Sequence, residues 1–448
     1  MQVGRRLSYG LIAAGLVLLG IVAAALVARG HPAKQTAPPP AKTTAVTTAP
    51  AVQPPPAPAA AVTATPVSPS AVRITWTGGG RAAVGLTGQP PTIWVSGGDV
   101  TLGGLSFTAS YDVHVGATTV AVTPSPPAGT VTGSVADGAM LVDGQPFFPI
   151  LLWGQCPSYD PLLAIGIDVF MNNPCGGIEG QVAALGGKGL SVAEAPGASG
   201  EGVIGSYYPD EADAHGYTGA NLPAAQGLRF LTLTNHFYSA AAPLPAGKGM
   251  YPGLVAKADV VGFDLYPLQV WCRRDALPDV ATAQRQLVAL APGKPTFQWI
   301  ETTHMQCPFG DPALAVTPAT VRAESWLALV GGAHGLGFFP IGWTGDVSGA
   351  LAQMGHDIQA LGPVLLAPAA PVSADGPVEA TARSFGGAFY VFAVNPTYAP
   401  VSATIRAPGL DGRPLQVLGE NRAVTPKDGA FTDDFAPLAV HLYVAAPQ

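Results

Sequence analysis

The sequence predicts an α/β fold, a (β/α)8 barrel preceded by a small N-terminal β module and followed by a C-terminal β-sandwich. Three observations predict it: eight short apolar runs within residues 139–365, and strict alternation of apolar and polar residues both before and after that region. The eight runs are 147–154, 167–173, 190–195, 203–211, 228–237, 258–267, 295–302 and 335–343. Continuous apolar runs of this length are typical of parallel strands that are buried on both faces.

The spacers between the runs support the barrel. Residues 281–291 and 318–332 have the composition and apolar periodicity of helices, and each lies before one of the last two runs. Residues 196–202, between the third and fourth runs, are too few for a helix. We therefore expect a barrel of about the usual size whose helical layer is incomplete.

Residues 1–30 predict a transmembrane anchor or a signal peptide. Arg5 and Arg6 precede residues 7–28, which carry no charge and are long enough to span a bilayer. The alanine-rich end of this run also suits a signal peptidase, so an uncleaved anchor and a cleaved signal both stay open. Either one predicts that the rest of the chain is exported, on the cell membrane or secreted.

Three further regions complete the organisation. Residues 31–70 are rich in Pro, Ala and Thr and lack acidic residues, which predicts an extended linker. Residues 71–133 alternate with Gly-rich breaks, as a small antiparallel β module does, and residues 370–448 alternate in the same way, as a β-sandwich does. Trp76 and Trp94 of the β module are candidates for a sugar-stacking surface or for its core.

The charge balance argues against nucleic acid as a partner. The chain has 21 basic and 28 acidic residues, a formal charge of −7, and no basic cluster. The letters D-E-A-D at residues 210–213 suggest a helicase, but such an enzyme needs a GxxxxGK[ST] phosphate loop, and the sequence has none.

Two carboxylates follow apolar runs at the positions where barrels place their chemistry. Glu211 ends the fourth run and Glu301 ends the seventh. The C-terminal ends of barrel strands meet at one mouth, and two carboxylates about 5 Å apart there can hydrolyse a glycoside with retention. Glu194 is an alternative acid or an ion-pair partner, and Asp264 is interpreted as structural.

Five segments in chain order resemble clan A glycoside hydrolases, the retaining (β/α)8 enzymes. The segments are DGQPFFPILLWG at 143–154, YYPDEAD at 207–213, FDLYP at 263–267, QWIET at 298–302 and RAESWLALVGGAHGLGFFPIGW at 322–343. The resemblance covers roughly residues 140–445. It implies that Glu211 is the acid/base, that Glu301 is the nucleophile, that Tyr266 hydrogen-bonds the nucleophile, and that Trp343 forms the floor under the sugar ring.

One position departs from the pattern of these enzymes. Most of the clan has Asn before the acid/base, where it binds the sugar 2-hydroxyl, and this chain has Asp210. That departure puts the 2-hydroxyl contact in doubt. The candidate substrate-binding residues are Asp210, Tyr266, Trp343, Asn173, Asn235, His236 and Trp153. No cofactor and no metal are expected.

The four cysteines fit an exported protein. Cys156, Cys175, Cys272 and Cys307 are even in number and none has CxxC spacing, so disulfides are expected and a zinc site is the alternative. The residues alone allow three pairings. In the barrel that the resemblance implies, the first two follow strands one and two and the last two follow strands six and seven, which favours bridges 156–175 and 272–307.

The sequence therefore predicts an exported, monomeric retaining glycoside hydrolase that cleaves a β-linked oligo- or polysaccharide and is attached to the membrane through its N-terminal segment. The alternative is a catalytically inactive barrel that binds a cell-surface glycan. A purely structural surface protein is a third hypothesis, and two glutamates facing one cleft would argue against it.

Overall fold

The computed structural model describes residues 61–308, 310–339, 343–408, 410 and 412–448. All of them lie in one compact unit. The predicted anchor or signal peptide at 1–30 and most of the predicted linker lie outside the described residues. Within the described ranges, no helix combines the length and the apolar character needed to cross a membrane.

Eight parallel strands form a closed barrel, which confirms the predicted central fold. In chain order the barrel strands are Ile150–Trp153, Val169–Met171, Leu190–Glu194, Val203–Tyr207, Leu228–Thr234, Val260–Asp264, Thr296–Glu301 and Gly335–Phe339. We call them strands one to eight. Each strand pairs with the next along the chain, and strand eight closes the barrel on strand one, with Leu336 opposite Ile150.

Large aromatic side chains fill the barrel. The Trp299 ring packs edge-on against Trp153 and Phe297, with centroids 5.8 and 5.4 Å away. Its indole nitrogen donates to the Thr232 hydroxyl at 3.1 Å, so the buried N–H is satisfied. Glycine at position 337 makes room for this ring, because a Cβ there would lie 2.3 Å from it.

The helical layer is incomplete, as the short spacer predicted. The six α-helices of the described chain are α1 Asp160–Ala164, α2 Gly177–Leu185, α3 Tyr251–Val255, α4 Leu277–Leu290, α5 Pro318–Val330 and α6 Gly345–Leu365. Helices α4 and α5 confirm the two helical spacers. Short 3-10 turns are Asn235–Phe237, Lys248–Met250, Arg274–Ala276 and Pro312–Leu314. Neither residues 195–202 nor residues 208–227 contain a helix.

A segment from earlier in the chain, at residues 129–133, covers strands three and four at the place where no helix connects them. The Gly202 amide donates to the Gly129 carbonyl at 3.0 Å, and the Gly129 amide donates to the Glu201 carboxylate at 3.2 Å. Gly133 packs so closely on strand four that a Cβ would lie 2.6 Å from the Ile204 carbonyl oxygen. The segment after the N-terminal module therefore takes the place of a barrel helix.

The N-terminal module has seven antiparallel strands in two sheets. The three-stranded sheet contains Val62–Ser68, Ala71–Trp76 and Asp99–Gly103, and the four-stranded sheet contains Arg81–Leu86, Ile93–Ser96, Tyr111–Val115 and Thr118–Val122. Strand Val62–Ser68 corrects the predicted linker end at residue 70. It is an edge strand with a register shift between Pro66 and Ser68, and an edge tolerates the missing N–H of proline.

A small sheet and a sandwich flank the barrel in sequence. Strands Gly133–Ala136, Ala139–Val142 and Gln145–Phe147 form an antiparallel sheet before strand one. The C-terminal region confirms the predicted β-sandwich, with sheets of six and three strands. Its strands are Ala369–Ala370, Ser373–Ala374, Glu379–Phe385, Ala388–Val394, Val401–Arg406, Leu415–Val417, Arg422–Val424, Ala430–Phe435 and Val440–Ala445.

The module and the sandwich meet on the outer helices of the barrel. The Thr92 hydroxyl donates to the Ala360 carbonyl of α6 at 2.5 Å, and the Tyr390 hydroxyl donates to the Thr92 carbonyl at 2.7 Å. Trp326 of α5 is fully buried against Phe392, with ring centroids 5.2 Å apart. Trp76 of the N-terminal module is only 6% exposed and belongs to the apolar core. This supports the interpretation of Trp76 as a core residue and not as part of a sugar-stacking surface.

Candidate active site

A cleft of about 420 Å³ lies at the C-terminal mouth of the barrel. The residues that line it come from the ends of strands one and four to eight and from the loops that follow them. They are Trp153, Asp210, Glu211, Ala214, Thr234, Asn235, His236, Asp264, Tyr266, Val270, Trp299, Met305, Gln306 and Phe339. This is the face where (β/α)8 enzymes carry their chemistry.

Three carboxyl groups face this cleft. Asp210 and Glu211 follow strand four, and Asp264 ends strand six. The Asp264 carboxyl is hydrogen-bonded to Glu211. Burial raises the pKa of Asp264 well above its usual range, and the nearby Glu211 carboxylate raises it further, so Asp264 holds a proton and donates it to Glu211.

The pKa of the third acid of the cleft, Asp210, is raised less than that of Asp264. Burial raises the pKa of Asp210 to about 6, with a further contribution from the neighbouring Glu211 carboxylate. Asp210 is an exposed residue at the edge of the cleft. Asp210 is therefore ionised at neutral pH while the Glu211–Asp264 pair still carries a proton.

The turn that presents Glu211 is held in an unfavourable backbone conformation. Glu211 has φ of +46°, in the left-handed region that residues other than glycine rarely adopt. Asp213 anchors this turn: its carboxylate accepts from the Thr234 amide at 2.9 Å, the Thr234 hydroxyl at 2.5 Å and the Tyr251 hydroxyl at 3.1 Å. Such conformations cost on the order of 1 kcal/mol or more and cluster at functional sites.

Aromatic rings form the walls beside the acids. Tyr266 is buried and stacks on Phe339, with ring centroids 5.9 Å apart and planes 28° apart. Burial raises the pKa of the Tyr266 hydroxyl well above its usual range, and the charges of Asp264 and Asp210 raise it further. Trp153 lies on another wall, in edge contact with Tyr207 at 5.1 Å. Flat apolar faces beside polar groups are what sugar rings need for binding.

The loop after strand five supplies two polar groups to the cleft. Asn235 and His236 begin a short 3-10 turn that Thr234 caps, because its hydroxyl accepts from the His236 amide. The His236 Nδ1 lies 2.6 Å from the Ala242 carbonyl, which fixes the ring orientation. Both predicted binding residues therefore lie in the same cleft as Asp210 and Glu211.

Glu301 lies outside this cleft, in contrast to the predicted pairing of Glu301 with Glu211. Its carboxylate accepts from the Leu268 amide at 2.9 Å and the Gln269 amide at 2.8 Å. The side chain is 1% exposed. These two amides belong to the loop after strand six, and they hold the carboxylate in a buried position outside the cleft lining.

A second buried glutamate lies beside it. Glu324 of α5 is fully buried, is hydrogen-bonded to the Glu301 side chain, and accepts from the Glu301 amide at 3.3 Å. Burial raises the pKa of Glu324 well above its usual range, and burial raises that of Glu301 to about 7 although the two loop amides oppose this. This buried pair was not expected from the sequence, since α5 shows no feature that marks Glu324 as a partner.

Two predicted binding residues line neighbouring cavities instead. Trp343 lies in a cavity of about 330 Å³ formed by the loops after strands seven and eight. Asn173 lies in a cavity of about 220 Å³ at the ends of strands two to four, together with Glu194. Asp264, interpreted as structural, is the cleft carboxyl that sequence reasoning missed; it lies inside the sixth run, and only the structure shows that the strand ends there.

Both disulfides join the cysteines as predicted. Cys156 bonds Cys175 and Cys272 bonds Cys307, so each bridge links two loops at the barrel mouth. Among the described residues, no group of three or more His, Cys, Asp or Glu side chains could hold a metal ion.

Comparisons with known proteins find similarity in structure alone. No family model matches the sequence, and no curated protein matches it. The fold is similar to an α-amylase from Anoxybacillus, with 12% identity over 49% of this chain and 59% of that chain and a TM-score of 0.33. It is also similar to a GH30 endoxylanase from Clostridium papyrosolvens C71, with 11% identity over 70% of this chain and 99% of that chain and a TM-score of 0.39.

A third similar structure is a GH27 β-L-arabinopyranosidase from Geobacillus stearothermophilus. The identity is 11% over 49% of this chain and 51% of that chain, with a TM-score of 0.34. This chain thus spans only slightly more than half the length of the amylase and of the arabinopyranosidase. With scores this low, the function rests on the geometry of the cleft.

Proposed function

We propose that the protein is an exported glycoside hydrolase whose chemistry is carried by Glu211, Asp264 and Asp210. The observation that supports it best is the meeting of these three carboxyl groups in one aromatic-walled cleft at the barrel mouth. One of them is protonated and another is ionised at neutral pH, as an acid and a nucleophile must be.

Glu211 acts as the acid/base in this proposal. In the resting pair the proton is on Asp264, which shares it with Glu211; it passes through Glu211 to the glycosidic oxygen as the C–O bond breaks, and both carboxyl groups of the pair are then ionised. The Asp210 carboxylate attacks the anomeric carbon and forms a glycosyl ester. Glu211, now ionised, takes a proton from water, whose oxygen displaces Asp210 and releases the sugar.

Retention of anomeric configuration is part of this proposal. An inverting enzyme needs a water between catalytic carboxyl groups about 6.5–9.5 Å apart, whereas in a retaining enzyme the acid/base and the nucleophile are about 5–5.5 Å apart. Asp210 is adjacent in sequence to Glu211 and interacts with its charge, which favours the shorter separation of a retaining pair.

In this proposal Glu301 supports the cleft without touching substrate. The loop it holds continues to Val270, which lines the cleft. Gln269 of the same loop accepts from the Met305 amide through its side chain at 3.0 Å and from the Gln306 amide through its carbonyl at 3.0 Å. Met305 and Gln306 also line the cleft, so Glu301 positions two rim segments through one carboxylate.

An inactive glycan-binding barrel is the second candidate. The position of Glu301 favours it, because the strand-four and strand-seven glutamates do not face each other across the cleft. In that case the Glu211–Asp264 pair binds sugar hydroxyls and does no chemistry.

Hydrolysis by three variants distinguishes these candidates. The full-length protein and its Glu211→Gln, Asp210→Asn and Glu301→Gln variants are incubated with aryl β-glycosides and β-glucans, and the released anomer is read by NMR. We expect the first two variants to lose activity and Glu301→Gln to retain most of it. Binding of a glycan without turnover in the unmodified protein would instead support the inactive barrel.

Export and attachment to a membrane are proposals on separate grounds. The two disulfides support an oxidising compartment outside the cytoplasm. Attachment through residues 1–30 depends on the charge and apolar pattern of that segment alone. Fractionation of cells that express the protein, followed by mass determination of its N-terminus, would separate an anchor from a cleaved signal.

A further inference from the structure

Three cavities lie at the C-terminal mouth of the barrel, and one of them is lined by Asp210, Glu211 and Asp264. We call the cavity with Asn173 the left cavity, the one with Asp210 and Glu211 the acid cleft, and the one with Trp343 the right cavity. Their volumes are about 220, 420 and 330 Å³. A site for a single sugar ring would not need the two outer spaces.

Tyr207 is the wall between the left cavity and the acid cleft. It lines the left cavity and contacts Trp153 of the cleft edge-on at 5.1 Å. Burial raises the pKa of the Tyr207 hydroxyl well above its usual range, and the carboxylates of Glu194 and Asp210 raise it further. One of these acids lines each cavity, so Tyr207 lies near the acidic groups of both.

The left cavity contains a buried donor without a partner. Asn173 is 6% exposed, and its side-chain oxygen accepts from the Cys175 amide at 2.9 Å, which fixes the orientation of the amide. Its Nδ2 has no hydrogen-bond acceptor among the described residues. Buried polar groups are rarely left unsatisfied in proteins, so this amide beside the cavity lining is a polar group that a small local movement would offer to a ligand.

The right cavity joins the acid cleft through the loop that Glu301 holds. Gln269 lines the right cavity, and it is hydrogen-bonded to Met305 and Gln306, which line the cleft. Trp343 is half-buried there beside the polar side chains of Thr302 and Thr303. An aromatic face beside hydroxyl groups suits a sugar ring, as it does in the cleft.

The charges around the three cavities restrict the ligand. No Lys or Arg is among the described residues that line them, while Glu194, Asp210, Glu211, Asp264 and Asp311 supply carboxyl groups. A glycan that carries carboxylates or sulfates needs cationic partners, and acidic walls repel it.

We infer that the three cavities bind one uncharged glycan chain of at least three sugar units, with the cleaved linkage inside the chain over Glu211. This inference rests on the proposed function, and it adds internal cleavage and a neutral substrate. The left and right cavities are binding subsites that flank the acid cleft.

Binding to a chain that cannot be cleaved tests the inference apart from catalysis. The full-length Glu211→Gln variant is titrated calorimetrically with neutral β-1,4-linked gluco-, manno- and xylo-oligosaccharides of two to six units, and with oligogalacturonides as anionic chains. We expect one neutral series to gain affinity with length beyond two units and the anionic series not to bind.

Two further substitutions locate the outer subsites. Ala198 lines the left cavity, and Ala198→Trp should fill it and lower the affinity for long chains about tenfold, which corresponds to about 1.4 kcal/mol. Ser199→Trp, one residue further along the same loop and outside the cavity lining, is the matched control. Trp343→Ala should lower long-chain affinity from the other side, and melting temperatures show whether each variant folds.

Three outcomes would overturn the inference. Affinity that does not change with chain length, together with hydrolysis of aryl glycosides by the unmodified protein, would refute the flanking subsites and leave the proposed function standing. Preferred binding of the anionic chains would refute the neutral substrate. Loss of affinity in Ser199→Trp equal to that in Ala198→Trp would refute the left cavity as a subsite.

Discussion

The molecule holds two groups of acidic side chains at the same end of its barrel, and they differ in what they face. Asp210, Glu211 and Asp264 surround an open cleft. Glu301 and Glu324 are at most 1% exposed and face each other and a loop. Burial raises the pKa of carboxyl groups in both places, so a raised pKa alone does not identify the catalytic group.

The comparison shows how a loop can change the role of a strand-end acid. Glu301 ends its strand, but the amides of Leu268 and Gln269 donate to its carboxylate and hold it buried. A carboxylate that accepts two backbone hydrogen bonds is held in one orientation. Glu211 lies within a turn, and among the described residues no backbone amide of the loop after strand six donates to it; it faces Asp264 instead.

Replacing the proton donor of the cleft should have the largest effect. Glu211→Gln keeps the shape of the side chain and removes the proton transfer, so we expect kcat to fall about 10³-fold. Glu179→Gln on the exposed face of α2 is the matched control and should keep full activity. Initial rates on the best substrate provide the measurement, and equal activity of both variants would contradict the assignment of Glu211.

Asp264→Asn should have the next largest effect. The amide can still donate to Glu211 but cannot hold the shared proton, so we expect about a 10²-fold loss of kcat and an upper pH limit of activity that moves to lower pH. In the unmodified protein the lower limit should lie near pH 6, where Asp210 ionises. A pH–rate profile of Asp264→Asn with an unchanged upper limit would show that Asp264 does not share the proton.

Glu301→Gln should affect stability more than chemistry. The new amide group would face one of the two loop N–H donors, which leaves a buried donor unsatisfied at a cost of about 1–3 kcal/mol. We expect a lower melting temperature, a higher KM from the displaced rim, and kcat within about tenfold of the unmodified value. Complete loss of kcat at an unchanged melting temperature would instead make Glu301 the nucleophile that the resemblance implies.

The pH dependence of stability should give the smallest signal. The pKa of Glu301 rises from 4.5 to about 7 in the folded protein, so folding favours its protonated form. Its stabilising contribution is fully present below about pH 4.5 and is lost as pH rises through 7. The melting temperature of the unmodified protein should therefore fall between pH 5 and 8. The fall should be about 2–4 °C smaller in Glu301→Gln. Parallel curves would show that Glu301 titrates normally.

Sequence patterns predicted the barrel well because they reflect local chemistry. Each of the eight apolar runs became a strand, and the seven residues of 196–202 contain no helix. The edge strand Val62–Ser68 was assigned to the linker because Pro66 and Pro69 mask a weak alternation. This segment forms a strand because it pairs with Ala71–Trp76, and the amino-acid composition of the segment does not reveal that pairing.

Only part of the cleft could be predicted, because the direction in which a side chain points depends on contacts between loops that are far apart in the sequence. Glu211, Asp210, Tyr266 and Trp153 follow strands directly and reach the mouth as expected. The orientation of Glu301 depends on two amides that lie more than thirty residues earlier in the chain. No sequence spacing connects Glu301 with these amides. The sequence therefore could not show that Asp264, and not Glu301, lines the cleft.

The segment at 129–133, which covers strands three and four in place of a helix, limits where the chain can be divided. Since Gly129 and Gly133 cover strands three and four, the barrel shares its outer layer with a stretch of chain that precedes it. A truncated chain starting at strand one would expose the apolar backs of those strands and tend to aggregate. The segment at 129–133 is thus a structural part of the outer layer of the barrel, and a fragment that is to contain the whole barrel has to begin before it.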